Sequence, residues 1–474
     1  MVGSGKTGQA KSGLPPPPGQ EESVNPYYER QWRLRMIAHF VIMVVLSALL
    51  VRYSPVLGIW STSSAQDLFS VVIDAGSTGS RVFVYHFKAI SGDFHNHEGV
   101  RLESEYFQSV EPGISSYSKH PQQAANSLKP MLKRSLKHVP QELHDQTLVI
   151  LKATAGLRLL PAHKAEAILS KVRQLLVSSP YYLPDPGKVM IMSGEEEGLF
   201  GWITVNFLLD VLWDDDDDNT VTAFDLGGGS VQVTFELLQE QLDDCPVKDL
   251  YRVKLMHKSF NVFTHSYLGY GLKSARFSIL GGKEDPSSDD PYDDTRSHLL
   301  KDGLVAMDSD CFPEGVRIDF THGETNFTVR GANVNANILP TVETKVRDFV
   351  AAEGFIQSPA LESRDLHLFS YFFDVARWAR LIPWNEHHYQ LTPASYYAAA
   401  KSYCLQKNFP EKRPFLCMDL IYIYVMLTQG VGLPPDKPLI VETKLLGREV
   451  SWSLGAALST LSEDFFFEQI SLLQ

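Results

Sequence analysis

The sequence predicts an α/β protein built from two related lobes that face one cleft. Short β-branched runs alternate with amphipathic helical patterns from Leu68 onward, which is typical of α/β architectures. One unit also occurs twice: a strand that ends on an aspartate, a turn of small residues, and a second strand. The copies are FSVVIDAGSTGSRVFVYHF from Phe69 and TVTAFDLGGGSVQVTFEL from Thr220. Two matching copies indicate a duplicated fold, whereas a single hairpin with glycines would be commonplace.

Individual segments give the elements of this fold. Strands are predicted over SVVIDAG, RVFVYHF, TLVILKATAG, KVMIMSGEEEG, TVTAFDLGGG and VQVTFEL. Amphipathic helices are predicted over AANSLKPMLKRSLKHV and PAHKAEAILSKVRQLLVSS. The strongly apolar DLIYIYVMLTQGVGL includes Asp419 and Gln429, so we expect a core helix there. The acidic run 214–218 predicts a solvated loop between elements.

The repeated unit has a chemical explanation. A tight turn between antiparallel strands presents several backbone N–H groups at one point, and glycine lets a ligand oxygen approach closely. Such a turn binds anions such as phosphate, but the preceding Asp74 or Asp225 would repel them. A divalent cation between the acid and the phosphate removes that repulsion. The pattern therefore predicts a metal shared by both aspartates and a polyphosphate bound by both turns.

The overall composition is that of a globular protein with two or three domains. The chain has 474 residues, of which 44% are hydrophobic and 21% are charged. Its formal net charge of −13 argues against a nucleic-acid partner, because such proteins present a basic face. An acidic protein that handles phosphate needs local hydrogen-bond donors or a metal.

The N-terminal region predicts a membrane anchor. Met36–Val51 is almost wholly apolar, although slightly shorter than the roughly 17–25 residues of a typical span. Arg30, Arg33 and Arg35 precede it, so the positive-inside rule places the N-terminus in the cytosol and the body in the lumen. A cleaved signal peptide and a buried core helix are the alternatives. The basic residues just before the apolar run and the polar N-terminal segment that precedes them favour the anchor over both alternatives.

These features predict a division of the chain. We expect a disordered cytosolic tail over 1–35, a transmembrane signal anchor over 36–56 and a stem over 57–67. Lobe I is predicted over 68–191 and 455–474, and lobe II over 192–454. The glycosylation sequon at Asn326 agrees with a lumenal body.

A glutamate cluster offers a candidate catalytic group. Glu195, Glu196 and Glu197 directly precede Gly198, where a predicted strand gives way to a helix. A carboxylate beside a bound phosphate can accept a proton from attacking water. An acidic first helical turn, favoured by the helix macrodipole, explains the same cluster equally well. The sequence alone does not show which of the three glutamates would act as the base.

The twin units fit the duplicated fold of actin, Hsp70 and the sugar kinases, in which nucleotide binds between the halves. More specifically, the chain resembles the apyrase family, the nucleoside triphosphate diphosphohydrolases. Five ordered segments match its signature regions: DAGSTGSR at 74, KATAGLR at 152, GEEEGLFGWITVNF at 194, DLGGGSVQV at 225 and SWSLGA at 451. YLGYGLKSAR at 267 and LHLFSYFFDVA at 366 look like further family segments.

The resemblance implies roles for individual residues. Glu197 matches the general base, and Ser230 and Gln232 match residues that orient the attacking water. Asp74 and Asp225 match the acids that hold Ca²⁺ or Mg²⁺, mainly through water. The resemblance assigns substrate contacts to Gly76, Ser77, Thr78, Gly79, Arg81, Thr154, Gly227, Gly228, Gly229, Tyr371 or Phe372, and Trp452. For Trp452, a core position beneath the site is an equal alternative.

The resemblance also implies a branch of the family. One anchor and four cysteines are similar to the single-anchor or soluble nucleoside diphosphatases of the ER, the Golgi and the secreted fraction. It implies hydrolysis of GDP, UDP and IDP, with triphosphates weaker, in support of glycosylation. We expect a single-pass type II membrane protein, or a secreted one after cleavage, that is a monomer or weak oligomer.

The four cysteines match the family only in part. Cys404 and Cys417 match a family disulfide. The usual partner downstream of Cys311 is missing, so either Cys245 pairs with Cys311 or both are free thiols.

Two rival functions remain open at the level of sequence. An exopolyphosphatase-like phosphohydrolase would share the fold, the glycine turns and the carboxylate. A non-catalytic nucleotide-binding chaperone would bind nucleotide with negligible turnover, and Glu197→Gln would then change little. The full set of signatures and the predicted anchor disfavour the exopolyphosphatase.

Overall fold

The computed structural model describes residues 35–45, 67–90, 99–212, 219–242, 245–255, 258–283, 298–299, 304–323, 325–335, 337–405, 412–461 and 466–469. The strands are β1 Asp67–Ala75, β2 Ser80–Ile90, β3 Gly99–Val110, β4 Leu148–Ala153, β5 Val189–Ile191, β6 Thr222–Leu226, β7 Ser230–Glu236, β8 Leu250–Leu255, β9 Lys258–Leu268, β10 His298–Leu299, β11 Val305–Pro313, β12 Arg317–His322, β13 Thr325–Asn333, β14 Leu366–Ser370, β15 His388–Leu391, β16 Leu439–Glu442, β17 Lys444–Leu445, β18 Arg448–Glu449 and β19 Phe466–Gln469.

Helices connect these strands, together with short 3₁₀ turns. They are α1 35–45, α2 Pro121–Ser135, α3 Ala155–Arg158, α4 Ala162–Val177, α5 Gly194–Leu208, α6 Leu272–Ile279, α7 Leu339–Ala351, α8 Ala360–Ser363, α9 Tyr371–Trp378, α10 Pro393–Cys404, α11 Leu416–Val425 and α12 Trp452–Leu458. The segments predicted as strands contain β1, β2, β4, β5, β6 and β7, and the predicted helices correspond to α2, α4 and α11. Every residue of α11 except Tyr424 is buried, as expected of a core helix.

The first sheet has the strand order β3-β2-β1-β4-β5. β1 pairs antiparallel with β2, and β2 pairs antiparallel with β3, whereas β4 and β5 run parallel to β1. Helices α2 and α4 pack their apolar faces together against one face of this sheet, around a core of Val, Ile and Leu side chains. Asp74 lies near the end of β1, opposite Arg81 in β2.

The larger sheet repeats this arrangement. Its order is β15-β16-β14-β6-β7-β9-β8-β19, and within it β9-β7-β6-β14-β16 have the same order and directions as β3-β2-β1-β4-β5. Asp225 lies near the end of β6, as Asp74 does in β1, and it is opposite Gln232 in β7. The duplicated α/β fold predicted from the twin units is therefore confirmed. Its physical basis is the same strand, acid, turn and strand in each sheet.

One hydrophobic core joins the two sheets. It includes Val72 and Phe83 from the first sheet, Trp202 of α5, Leu454 of α12 and Val253 of the larger sheet. Since α5 has neighbours on several sides, most of its residues are buried and its sequence is apolar around most of its surface. Between them, α5 and α12 hold the two sheets in a fixed arrangement within the compact unit 66–474.

The predicted lobe boundaries remain predictions, and one detail differs from them. Residues 466–469 form β19, which pairs antiparallel with β8 at the edge of the larger sheet. From the sequence, this segment is predicted in lobe I. β8 has one edge that no other described strand of the sheet covers, and its backbone groups pair with β19; a sequence pattern does not reveal this.

The cysteines adopt one of the expected arrangements. Cys404, at the end of α10, forms a disulfide with Cys417 in α11. Cys245 and Cys311 are both free, so the alternative in which they pair does not occur.

The N-terminal predictions fall largely outside the described residues. Residues 1–34 of the predicted tail (1–35), residues 57–66 of the predicted stem (57–67) and most of the predicted span lie there, as does the acidic run 214–218. Within the span, residues 36–45 belong to α1. Over the described ranges, no helix is long and apolar enough to cross a membrane.

Candidate active site

The two repeated turns meet at a cleft of about 370 Å³. The Ser77 hydroxyl lies so close to Gly228 that a Cβ on this glycine would be 2.4 Å from its oxygen. The predicted residues that line the cleft are Asp74, Gly76, Ser77, Thr78, Arg81, Thr154, Glu197, Asp225, Gly227, Gly228, Tyr371 and Trp452.

Asp74 and Asp225 are buried carboxylates with unused hydrogen-bonding capacity. One oxygen of Asp74 accepts a 2.8 Å bond from Arg81, but Oδ1 of Asp74 and Oδ1 of Asp225 have no partner among the described residues. Burial raises the pKa of Asp74, although the neighbouring Arg81 opposes this. Burial likewise raises the pKa of Asp225 to about 6, while a hydrogen bond from Ser370 opposes it. In the described part of the chain, the hydrogen bonds and positive charges near these two carboxylates therefore do not offset the free-energy cost of burying them.

These two acids fit a divalent cation. Oxygen ligands suit Ca²⁺ and Mg²⁺, and the orphaned oxygens would gain a positive partner. Among the described residues, no group of three or more His, Cys, Asp and Glu side chains is arranged to hold a metal. Two carboxylates leave most coordination positions to water and phosphate oxygens, which is usual for Mg²⁺.

Glu197 reaches the cleft from the first turn of α5. Ser193 caps this helix in a reciprocal capping box with Glu196. The Glu196 side chain accepts a hydrogen bond from the Ser193 backbone N–H and is therefore held at the helix N-terminus. At the next position, Gly198 lets the helix approach the larger sheet, because a Cβ there would lie 2.4 Å from Thr264 Oγ1. The Glu-Gly pair thus has a packing reason as well as a chemical one.

The Glu197 carboxylate is buried and held from two sides. Its Oε2 accepts hydrogen bonds from Arg158, which also forms an ion pair with it, and from Gln232 at 3.3 Å. Burial raises the pKa of Glu197 to about 8; Arg158 lowers it, and the negative charges of Asp225 and Asp74 raise it. A general base works best with a pKa near the working pH, so Arg158, which lowers this pKa and favours the ionised form, supports such a role.

Ser230 and Gln232 lie behind Glu197 rather than on the cleft surface. Gln232 Nε2 donates to Ser230 Oγ at 2.9 Å and to Ser266 Oγ at 2.7 Å. Its Oε1 is buried without a partner among the described residues. The amide is therefore fixed in orientation with one acceptor free, which suits a group that orients water.

Two of the predicted glycines do not line the cleft. A Cβ on Gly79 would lie 2.9 Å from the carbonyl oxygen of Val110, so this glycine packs against β3. Gly229 faces α3, where a Cβ would meet that of Ala155 at 2.8 Å. Gly79 lets the backbone of β3 approach the first turn, and Gly229 lets side chains of the α3 region approach the second turn.

The predicted aromatic residues differ in whether they reach the cleft. Tyr371 lines the cleft and is hydrogen-bonded to Thr78. Phe372 does not reach it, because the next residue of a helix points elsewhere; its side chain lies in the core, edge to face with Phe224. Trp452 borders the cleft but is only 3% exposed, so it forms the floor beneath it.

Sequence reasoning missed several cleft residues. Ser370 and Asp374 line the cleft and lie in LHLFSYFFDVA. Arg158 does not line it, but it contacts Glu197 and ends the KATAGLR segment. The signal for all three was therefore present in quoted motifs. Ser370 has a φ of 61°, which is rare for a non-glycine residue, and strained backbone of this kind is often found at functional sites. Trp378, Thr443 and Glu449 gave no such signal.

Comparisons with known proteins agree with one another. The family model of the GDA1/CD39 (nucleoside phosphatase) family matches residues 61–472. Nucleoside-diphosphatase uda-1 of Caenorhabditis elegans is 32% identical over an alignment of 422 residues that covers 86% of this chain and 84% of that protein. Human nucleoside diphosphate phosphatase ENTPD5 is 33% identical over 409 residues, with 84% and 88% covered.

A solved structure supports the fold. The crystal structure of nucleoside triphosphate hydrolases from Neospora caninum aligns with a TM-score of 0.55 at 14% identity, covering 88% of this chain and 97% of that one.

Proposed function

Because this chain belongs to the GDA1/CD39 (nucleoside phosphatase) family, we propose that it hydrolyses nucleoside diphosphates to monophosphate and inorganic phosphate. The observation that carries this proposal is the placement of Glu197. Its carboxylate faces the cleft that Asp74 and Asp225 border, between two glycine turns whose backbone can bind phosphate oxygens.

In this mechanism Glu197 accepts a proton from the attacking water. The water oxygen forms a bond to the terminal phosphorus while the bridging P–O bond breaks, and the monophosphate leaves with the electron pair. Gln232 holds the base and orients the water, and Ser230 accepts a hydrogen bond from the Gln232 amide and so fixes its orientation. The turn amides and the hydroxyls of Ser77 and Thr78 stabilise the charge that develops on the phosphoryl oxygens. No covalent intermediate is required.

Asp74 and Asp225 would hold the divalent cation, and hydrolysis in this family depends on such an ion. When bound, it neutralises phosphate charge and acts as a Lewis acid on the phosphoryl oxygens. Either Mg²⁺ or Ca²⁺ suits these ligands.

The finer assignments are also proposals. We expect GDP, UDP and IDP to be better substrates than ADP, with triphosphates weaker. The N-terminal sequence supports a type II anchor with a lumenal body in the Golgi or ER, or release by cleavage, and a monomer or weak oligomer. In the lumen, the enzyme would remove the diphosphate that glycosyltransferases leave, and the sequon at Asn326 lies at an exposed position of β13.

A substrate panel tests the proposal. Phosphate release from GDP, UDP, IDP, ADP, UTP and polyphosphate is measured on the purified full chain with Mg²⁺ or Ca²⁺ present. We expect the first three diphosphates to give the highest kcat/KM. Turnover of polyphosphate above UDP would favour the exopolyphosphatase alternative, and binding of UDP without phosphate release would favour the chaperone.

A further inference from the structure

A second cavity of about 150 Å³ adjoins the catalytic cleft. Ser77, Thr78 and Gly228 border both spaces, so the contact between the two turns separates them. The volume is roughly ten times the about 10–15 Å³ that one water molecule needs. The cavity therefore has room for a polyatomic ion beside the point where the terminal phosphate would bind.

The lining of this cavity is suited to an anion. Its lining residues include Lys273, which carries an ammonium group, and the hydroxyl-bearing Ser115, Ser116 and Thr321. Among the described residues, no carboxylate lines it. The catalytic cleft differs, because carboxylates line it in several places.

Lys273 is a partly buried cation without a paired anion. Within the described part of the chain, its ammonium group has neither a hydrogen bond nor an ion pair. Burial lowers the pKa of Lys273, and the positive charge of Arg276 lowers it further, while only the charge of Glu111 opposes this. A bound anion would relieve both the desolvation and the repulsion.

The backbone fixes Lys273 against the second turn. Its N–H donates to the carbonyl oxygen of Gly228 at 2.9 Å, and the N–H of Ser274 donates to the same oxygen at 3.1 Å. Gly271 makes this approach possible, because a Cβ there would lie 2.3 Å from the backbone nitrogen of Ser230. The start of α6 is thus attached to a turn that also borders the catalytic cleft.

We propose that this second cavity binds inorganic phosphate after the hydrolytic step. The identification of the anion as the reaction product rests on the proposed function, whereas the cation, the hydroxyls and the shared wall do not. Phosphate is a tetrahedral oxyanion whose four oxygens accept hydrogen bonds from ammonium and hydroxyl groups such as those of Lys273, Ser115 and Thr321. Bound there, the phosphate would lie outside the cleft that the nucleotide fills.

Direct binding tests the proposal. The full chain is incubated with Mg²⁺ and saturating α,β-methylene-UDP, a diphosphate analogue that cannot be hydrolysed and fills the cleft. Binding of radiolabelled inorganic phosphate is then measured by equilibrium dialysis. We expect one phosphate per chain under these conditions. Lys273→Gln should weaken this binding by about tenfold or more, since it removes a charge-assisted interaction.

Three controls sharpen the result. Lys273→Arg keeps the charge and should bind phosphate within about threefold of wild type. Lys137→Gln removes an exposed positive charge elsewhere and should change nothing. The unfolding temperature of each variant shows that it is folded, and the KM for UDP should be unchanged in Lys273→Gln, because Lys273 does not line the cleft.

The opposing results are distinct. Loss of phosphate binding when the analogue fills the cleft, or wild-type binding by Lys273→Gln, would overturn the proposal. Failure of the wild-type chain to hydrolyse UDP would instead overturn the proposed function, since phosphate binding is measured without turnover.

Discussion

In the proposed mechanism, Glu197 is the residue on which hydrolysis depends most. Burial raises its pKa to about 8, while Arg158 holds the carboxylate from one side and Gln232 from the other. The flanking Glu196 has a structural role in the capping box of α5, and Glu195 lines no part of the cleft. The three acids that the sequence could not distinguish thus differ in their surroundings.

Replacing Glu197 should abolish most turnover. Glu197→Gln removes the proton acceptor, and a general base is worth about 10²–10⁴-fold in rate. We expect kcat to fall by that factor, while binding of α,β-methylene-UDP, measured by calorimetry, is retained. Glu195→Gln, two residues earlier in α5, is the matched control and should keep its activity. Phosphate release at the wild-type rate by Glu197→Gln would refute the assignment.

Removing Arg158 should shift the acid limb of the pH profile upward. Arg158 stabilises the ionised form of Glu197 and so lowers its pKa. Without it the pKa rises, and a smaller fraction of the base is ionised at any pH below that value. In Arg158→Met, the acid limb of kcat/KM should move to higher pH by about 1–3 units.

Lys at position 158 is the control for this shift. Arg158→Lys retains the positive charge, so its profile should move less than that of the Met variant. A Met variant with lower activity but an unshifted profile would show that Arg158 acts only in packing.

At the scale of elements, glycines determine how closely the turns and helices approach. Gly228 contacts Ser77 across the cleft, Gly198 lets α5 pack on β7 and β9, and Gly271 lets α6 begin beside the second turn. None of these three has a positive φ, so it is the missing side chain, rather than an unusual backbone conformation, that matters here.

Adding one methyl group at Gly271 should damage the second turn. A Cβ there would lie 2.3–2.5 Å from backbone atoms of 228–230, which cannot yield as a flexible side chain would. Overpacking of this kind costs about 1–3 kcal/mol. We expect Gly271→Ala to lower both the free energy of unfolding and kcat/KM. Gly354→Ala, with nothing within 4 Å of the new Cβ, should leave both unchanged.

The disulfide between α10 and α11 should stabilise the folded protein. Cys404 and Cys417 are separated by 13 positions. Closing a loop of this size constrains the unfolded chain by about 3 kcal/mol in the chain-entropy model. The double variant Cys404→Ser/Cys417→Ser should lose about that much free energy of unfolding. In urea melts, Cys245→Ser should match wild type, and a reductant should destabilise only chains that keep the pair.

At the scale of the whole molecule, the duplication brings two carboxylates to one place. Asp74 and Asp225 come from separate sheets, and the common core of α5 and α12 fixes their arrangement. Any cation held by both would therefore bind the folded state selectively and stabilise it by mass action.

Chelation should abolish activity and lower thermal stability together. We expect complete inhibition by EDTA, reversed by Mg²⁺ or Ca²⁺. At a cation concentration of about 100 Kd, the expected stabilisation is about 2.7 kcal/mol, which appears as a rise in unfolding temperature. Asp74→Asn/Asp225→Asn should lose both responses, and Asp348→Asn, at an exposed position on α7, should keep them. Full activity after thorough chelation would contradict the shared metal.

Local patterns in the sequence were sufficient to predict six of the strands and three of the helices, and to suggest the chemistry proposed for the turns. A strand, an acid and a glycine turn are local features whose meaning does not depend on distant residues, and the family motifs contain Glu197, Asp74 and Asp225. Tertiary structure alone decided that Tyr371 and not Phe372 faces the cleft, that β19 joins the larger sheet, and that Lys273 borders a second cavity. Each of these depends on which surfaces pack together, and packing joins residues that are far apart in sequence.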